Sequence, residues 1–434
     1  MKIVHITAGA GGRICGSCLH DNALVRALRA RGRDAILVPA FVPTTTDEEN
    51  VAIDHVVMGG VNVWLQEHVP LLRYTPSFLD RPLDSRRLLA WLSSRTGSAK
   101  PADLGPLTVS TLEGEHGRQR KEVRKLGRWL AREQCPDIVH LSNVLLIGLA
   151  HEIRQATGAR IVASLSGEDV FIDGLPDPSR TRAWGLLRER ASEIDHFIAF
   201  NHFFADFMRD RMQLPADRLS VVPHGVDLIG FSGEPPDLVA RRKARGGPFT
   251  VGFLARACPE KGLEVLIRAL AILADDRDVK VIAAGATVEA ERDYLARCLA
   301  LATELGVRDR FSWRGQVDRA GKLALLRDID LFALPTTHPE AKGLSAIEAM
   351  AAGVPVLAAN HGAFPEMLDD RRAGLLHVPG DPADLARCIA EIADDPHRLA
   401  ECGRHAHALA RRRHASDAMA AGHEAIYERL IANR

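Results

Sequence analysis

Glu340 and Glu348 stand at the two ends of a stretch whose residue types suit a sugar-phosphate ligand. The segment from Pro335 to Pro365 reads PTTHPEAKGLSAIEAMAAGVPVLAANHGAFP. An apolar run, Asp330 to Leu334, precedes it, and a second, Val356 to Ala359, follows a short helix and a turn at Gly353-Val354-Pro355. Two apolar runs joined through a helix make a βαβ unit, hence a parallel sheet whose crevice lies at the strand C-terminal ends. Glu340, Lys342 and Gly343 fall at that end, with Glu348 about one helical turn in, and the loop Asn360-His361-Gly362 opens on the same edge. Carboxylates accept from hydroxyls, and the amides of a glycine-opened helix start take anionic oxygens. Ser345 and Glu348 also fit a capping box, in which Glu348 would only start the helix.

A second group carries positive charge. Strand Phe249 to Leu254 runs into Ala255-Arg256-Ala-Cys-Pro259-Glu260-Lys261-Gly262 and then helix Leu263 to Ala274, with Pro259 where a first helical turn tolerates it. A guanidinium fork and an ammonium beside a helix start suit a diphosphate, although two loop cations are equally at home in solvent. Near the N-terminus, strand Ile3 to Ala8, a loop containing Gly12 and Gly16, helix Leu19 to Arg31 and strand Ala35 to Phe41 form another glycine cradle. Its spacing fits neither the dinucleotide nor the Walker pattern, and a tight turn explains it as well. Cys15 and Cys18 read either as small packing residues or as a dithiol; zinc would need two further ligands that the sequence lacks.

Composition bounds the rest. A chain of 434 residues implies two domains of about 200 residues each. The balance of 56 basic against 56 acidic residues gives no case for nucleic acid. Seven scattered cysteines are no disulfide framework, and no run reaches the ~18 apolar residues of a membrane span. Met1-Lys2 leads straight into a strand too short for a secretion signal, so the expectation is a soluble cytoplasmic protein.

Four further strands, Asp137 to Leu141, Arg160 to Leu165, His196 to Phe200 and Leu219 to Pro223, each end in polar residues. Among these are Ser166, Glu168, Asp169 and His224, a collection expected of a crevice. Asp227, just beyond, also fits simple turn chemistry. Gly97 to Gly105 reads as a loop and Glu113 to Arg132 as one charged helix; Leu71 to Leu92 is leucine- and arginine-rich and could face lipid or solvent. Phe231 to Pro248 reads as the linker. Strands Val279 to Ala284 and Arg310 to Arg314 follow, then helices after Val378 and a last helix, Ser416 to Asn433. The domains expected are therefore 1–230 together with 415–434, and 248–414.

Glu-x7-Glu, followed by Ala-Met-Ala-Ala-Gly-Val-Pro-Val and Gly-Ala-Phe-Pro-Glu, resembles the donor-site signature of retaining GT-B glycosyltransferases, more narrowly the family 4 group that uses nucleotide sugars. The resemblance implies an α/β fold of two Rossmann-like doubly wound domains facing a cleft, with the last helix crossing back to the first domain. It also implies a hexosyl-type transfer from a nucleotide sugar, with UDP-sugar the expected donor, to a lipid, glycan or small molecule. Peripheral membrane contact would follow from a lipid acceptor. Carried over residue by residue, Glu340 orients the donor sugar, and Arg256 and Lys261 stabilise the departing diphosphate. Glu348 holds the ribose, and amides at Lys342, Gly343 and Leu344 take phosphate or sugar oxygens. Gly315 and Val317 flank the base, whose identity is not legible there.

Gly12, Gly16 and the first-domain strand exits then line the donor phosphates or acceptor side. Ser166 departs from the family, which often has His at its place, and His224 stands in an Asn place. No metal or other cofactor is implied: Asp328-Ile-Asp330 resembles the metal-binding Asp-x-Asp only as a strand lead-in. Three rivals share these features. An epimerase would need its own acid/base pair, and a dinucleotide oxidoreductase would need correctly spaced glycines before an acid such as Asp34. A non-catalytic nucleotide-sugar sensor could dispense with reactive-side residues, consistent with Ser166.

Overall fold

The computed structural model describes residues 1–9, 16–54, 56–58, 101–369 and 371–433. The chain divides into two compact units, Met1–Gly225 with Ser416–Arg434, and Val226–Ala415.

The first unit contains β1 (Lys2–Thr7), β2 (Asp34–Pro39), β3 (Ile138–Leu141), β4 (Arg160–Leu165), β5 (His196–Ala199) and β6 (Leu219–Val221). They form one sheet in the order β2-β1-β3-β4-β5-β6, parallel throughout. Parallel strands are covered on both faces, which is why they read as nearly unbroken apolar runs rather than alternating ones. One cover is helix Gly16–Ala30 lying against the C-terminal helix Ser416–Ala432. Leu24, Leu28, Ile138, Val162, Met419 and Tyr427 form their shared core. Arg31 pins the two helices through Asp417 at 2.9 Å and Glu424 at 2.8 Å.

The second unit contains β7 (Phe249–Leu254), β8 (Val279–Ala284), β9 (Phe311–Trp313), β10 (Leu331–Leu334), β11 (Val356–Ala359) and β12 (Gly374–His377). Its parallel sheet runs β12-β11-β10-β7-β8-β9. Strand order reverses between β7 and β10, so their C-terminal ends border the place where open α/β sheets take ligands. Val251, Phe253, Phe332, Ile347, Val356 and Leu357 are fully buried around them, each contributing roughly 1.5–3 kcal/mol by burial.

Several sequence-based expectations shift. The supposed linker contains a helix, Leu238–Arg245, capped by Asp237, whose carboxylate accepts from Ala240 N at 2.9 Å. Pro-Pro-Asp before it is a helix-start signal, and the whole stretch belongs to the second unit. Asp330 anchors that helix: it is 1% exposed, pairs with Arg242 at 3.3 Å and with Arg245, and accepts from Thr250 N at 2.8 Å. The expected loop up to Gly105 overlaps a helix, Pro101–Glu113, and the single helix to Arg132 is broken by a turn at Gly114–Gly117 before Arg120–Trp129. Strand β12 was not expected. Gly12, Cys15 and Leu71 to Leu92 lie outside the described residues. Among the described residues no helix is long and apolar enough to cross a membrane.

Candidate active site

The exits of β7 and β10 are built as one piece. After β7, Pro259–Lys261 forms a single tight turn closed by Gly262 at φ 73°, and the helix starts only at Leu263, so Pro259 precedes the helix instead of opening it. A Cβ on Gly262 would lie 1.8 Å from the Pro335 carbonyl oxygen, which shows how closely the two backbones approach. Thr337 completes the join: its amide donates to the Glu260 carbonyl and its hydroxyl to the Pro259 carbonyl, both at 3.0 Å.

That join brings Lys261 onto Glu340, and the ammonium pairs with the Glu340 carboxylate. Burial alone would push Glu340 up; the Lys261 charge and hydrogen bond, with the Lys342 and Gly343 amides, outweigh it and lower the carboxyl to about 2. Lys342 N donates to Glu340 Oε1 at 3.2 Å. Glu340 is thus an acceptor at any working pH and no proton donor. Arg256 pairs with Glu291 at 2.5 Å, with the Arg256 side chain 55% exposed. An ion pair with one partner this exposed is worth little, so the guanidinium is readily drawn to another anion.

Glu348 sits on helix Leu344–Ala351, whose N-cap is Gly343 at φ 63° with no side-chain cap. The positive φ favours glycine here, and a Cβ would also push aside the Met367 side-chain tip at 2.5 Å. Ser345 is already helical, which removes the capping-box account of Glu348. The Glu348 carboxylate instead takes Lys322 Nζ at 2.5 Å, with the side chains 8% and 7% exposed. Lys322 was missed at the sequence level. It lies on helix Arg319–Asp328, capped by Asp318, whose carboxylate accepts from Gly321 N at 2.8 Å directly after Val317. Gly315 ties the β9 exit to the β8 exit, its carbonyl accepting from Gly285 N at 2.9 Å.

The first-unit residues are arranged differently. Glu168 is consumed locally: Ser166 N donates to Oε2 at 2.8 Å, Ser166 Oγ to Oε1 at 3.0 Å, and Val144 N to Oε1 at 3.3 Å. The β3 and β4 exits are thereby tied together, and Ser166, Glu168 and Asp169 are all buried. Gly16 is the first helical residue after the glycine loop. His224 is enclosed, 1% exposed, with Nδ1 donating to the Gly225 carbonyl at 2.9 Å.

That ring belongs to a polar layer between sheet and helices which the sequence did not reveal. His5 Nε2 meets Asp21 Oδ1 at 2.9 Å, and His140 meets Tyr427 OH at 2.6 Å and Ser164 Oγ at 2.8 Å. His20 lies edge-on to His224, with ring centres 4.5 Å apart. Burial, with His5 and His423 nearby, pushes His140 well down, and burial lowers His423 to about 4. His140 and His423 are therefore neutral rings. Elsewhere in the unit, Glu115, His151 and Glu193 bring ligand atoms within 4.8 Å of one another, but Arg190 already pairs with Glu115 and Glu193 at 3.1 Å.

Comparison with known proteins agrees with this architecture. A family model described as Glycosyltransferase Family 4 matches residues 22–229, and one described as Glycosyl transferases group 1 matches residues 237–408. D-inositol 3-phosphate glycosyltransferase 2 of Catenulispora acidiphila is 36% identical over 324 residues, covering 70% of this chain and 68% of that one. The chain belongs to the group 1 glycosyltransferases. A D-inositol 3-phosphate glycosyltransferase of Salinispora tropica is 31% identical over 299 residues, 65% of this chain and 57% of its own length. The match thus spans 57% to 68% of these two relatives.

Among solved structures, sucrose-phosphate synthase from Thermosynechococcus elongatus superposes on this group 1 member with a TM-score of 0.72 at 18% identity. Anabaena HepE in complex with UDP does so with 0.67 at 21% identity. Each covers 100% of both chains, and the likeness is one of fold.

Proposed function

We propose that the chain transfers a sugar, with retention, from a nucleoside-diphosphate sugar to a small polyhydroxylated ring. The observation that carries the reading is the fused exit of β7 and β10, where Arg256, Lys261 and Glu340 gather at the strand-order reversal. In this reading the diphosphate replaces the carboxylates now paired with Arg256 and Lys261. The two cations then oppose the charge that grows on the leaving diphosphate, the usual dominant contribution in such a transfer. Glu340, held anionic, accepts from the donor-sugar hydroxyls. Glu348 accepts from the ribose, the first amides of helix Leu344–Ala351 take phosphate or sugar oxygens, and Gly315 to Val317 flank the base. We propose no metal or other cofactor, because Arg256 and Lys261 supply the positive charge.

UDP is the proposed carrier, supported by the HepE complexes with UDP and UDP-glucose on the same fold. A cyclitol-like acceptor is supported by relatives named for D-inositol 3-phosphate and by 2-deoxystreptamine glucosyltransferase of Streptomyces kanamyceticus, which is 34% identical over 185 residues. We assign the reaction to the cytoplasm, where thiols such as the buried Cys258, Cys298, Cys388 and Cys402 stay reduced.

Incubation with UDP-, GDP- and ADP-glucose and either D-inositol 3-phosphate or 2-deoxystreptamine tests the reading. Acceptor-dependent release of one nucleoside diphosphate, with product and donor sharing one anomeric configuration, is expected. An inverted product contradicts retention, and no acceptor-dependent release contradicts the transfer.

A further inference from the structure

We propose that Lys322 is a positioning residue for nucleoside recognition, holding the Glu348 carboxylate in the orientation that receives the ribose hydroxyls. The inference rests on the donor-site reading above and adds to it a residue which that reading does not require.

Three observations carry it. Lys322 Nζ donates to Glu348 Oε1 at 2.5 Å, and both side chains are more than nine-tenths buried. Lysine and glutamate are the residue types least often found fully inside a protein, so a pair at this depth calls for a reason. Fold stability is a poor one: well-packed apolar residues in place of a buried ion pair are often neutral or stabilising, because the attraction barely repays the lost hydration.

The location supplies a better reason. Lys322 stands on the helix that begins right after Gly315–Val317, and Glu348 on the helix that begins right after Glu340–Gly343. The pair therefore links the segment proposed to flank the base with the one proposed to hold sugar and ribose. The Asp318 cap fixes the start of the Lys322 helix, its carboxylate accepting from Gly321 N one residue before Lys322.

A carboxylate has about four lone-pair sites, so one ammonium does not exhaust it. What Lys322 removes is rotational freedom: with one oxygen held, the acceptor directions of the carboxylate are set before ligand arrives, which lowers the ordering cost of binding. A merely structural lysine would affect folding and leave hydroxyl discrimination alone.

Titration calorimetry on the intact chain separates these cases. Affinity is measured for whichever of UDP, GDP and ADP binds and for its 2′-deoxy and 3′-deoxy analogues, with wild type, Lys322→Met and Lys322→Arg; Lys322→Gln serves should the methionine variant not fold. Wild type is expected to bind one deoxy analogue about tenfold more weakly than the parent, the scale of a lost hydrogen bond to a charged group. In Lys322→Met or Lys322→Gln the parent should weaken about tenfold and the deoxy analogue hardly at all, collapsing the ratio toward one. Lys322→Arg, which keeps a charged donor, should restore much of it. A folded neutral variant that keeps the wild-type ratio overturns the proposal. If wild type binds none of the three diphosphates, the donor-site reading itself falls and the proposal with it, an outcome distinct from a ratio that does not move.

Discussion

In the second unit buried polarity is carried by pairs of opposite charge, Lys261 with Glu340 and Lys322 with Glu348. In the first, the C-terminal helix is held by neutral rings, with His140 between Tyr427 and Ser164 and His423 fully enclosed beside it. Charge pairs at the mouth of a strand-order reversal can exchange partners, so a diphosphate can take the ammonium and hydroxyls the carboxylate. The His140–Tyr427–Ser164 network, sealed between sheet and helices, has no ionic partner to exchange. It joins the C-terminal helix to β3 through Tyr427 and His140, across 287 positions of chain. On the proposed reading the two clusters serve different ends: one would react to ligand, the other fixes the frame.

Lys261→Ala should separate them most strongly. Turnover of the donor should fall roughly 100- to 1000-fold, the scale of removing a preorganised charge from a transition state. Stability should fall by about 1–3 kcal/mol, less than for a sealed pair because Lys261 is 26% exposed. Adding Glu340→Gln should recover the melting temperature but not the rate. Recovery of both would show that the pair serves folding alone.

Acid should break the first unit before the second. His423 takes its proton only near pH 4 when folded but at 6.5 when unfolded. The unfolded chain thus binds more protons as pH drops below 6.5, and stability is lost from there to about 4, by about 3 kcal/mol for this ring alone. Glu340, lowered to about 2 from 4.5, contributes stability that is lost only as pH falls from 4.5 toward 2. His361 and His377, also lowered chiefly by burial, give the second unit a share of the earlier loss. Hydrogen exchange at pH 6.5 and 4.5, corrected for intrinsic rates, should show protection falling more in Ser416–Ala432 than in Leu344–Ala351. The reverse order would contradict the contrast.

Tyr427→Phe should have the smallest effect. It deletes the hydroxyl 2.6 Å from His140 Nδ1 and leaves a buried nitrogen unpaired. About 1–2 kcal/mol of stability should be lost, read from denaturant midpoints, with nucleotide affinity unchanged. A change in affinity would mean that the layer is coupled to the site.

The legibility of these features in the sequence follows from how local their causes are. β4, β7, β8 and β11 were placed to the residue because each is a short apolar run bounded by turn residues. Arg256, Lys261, Glu340 and Glu348 stood out because each lies within a few residues of a glycine-marked loop. Helix Pro101–Glu113 was hidden by Pro101, Gly105 and Pro106, and its packing against helix Ser179–Arg190 supplies what local propensity lacks.

β12 is only four residues, GLLH, too short to give a period. Lys322 reads as any solvated lysine on a charged helix, because its partner is 26 positions away. The histidine layer draws on β1, helix Gly16–Ala30, β3 and the C-terminal helix, and only the fold assembles it. Its one visible trace was a histidine inside each of two otherwise apolar strands, His5 and His140, which pair directly in the sheet.

The central claim is that the β7 and β10 exits form a nucleoside-diphosphate site. Thermal unfolding of wild type and Arg256→Ala with UDP, GDP, ADP and NAD tests it most directly. A ligand at a hundredfold excess over its Kd stabilises the folded state by about 2.7 kcal/mol. The account predicts a rise in melting temperature with one nucleoside diphosphate, UDP foremost. In Arg256→Ala the rise should vanish while the ligand-free melting temperature stays near that of wild type, since the Arg256 side chain is 55% exposed. A rise with NAD alone, or one that survives unchanged in Arg256→Ala, would contradict it.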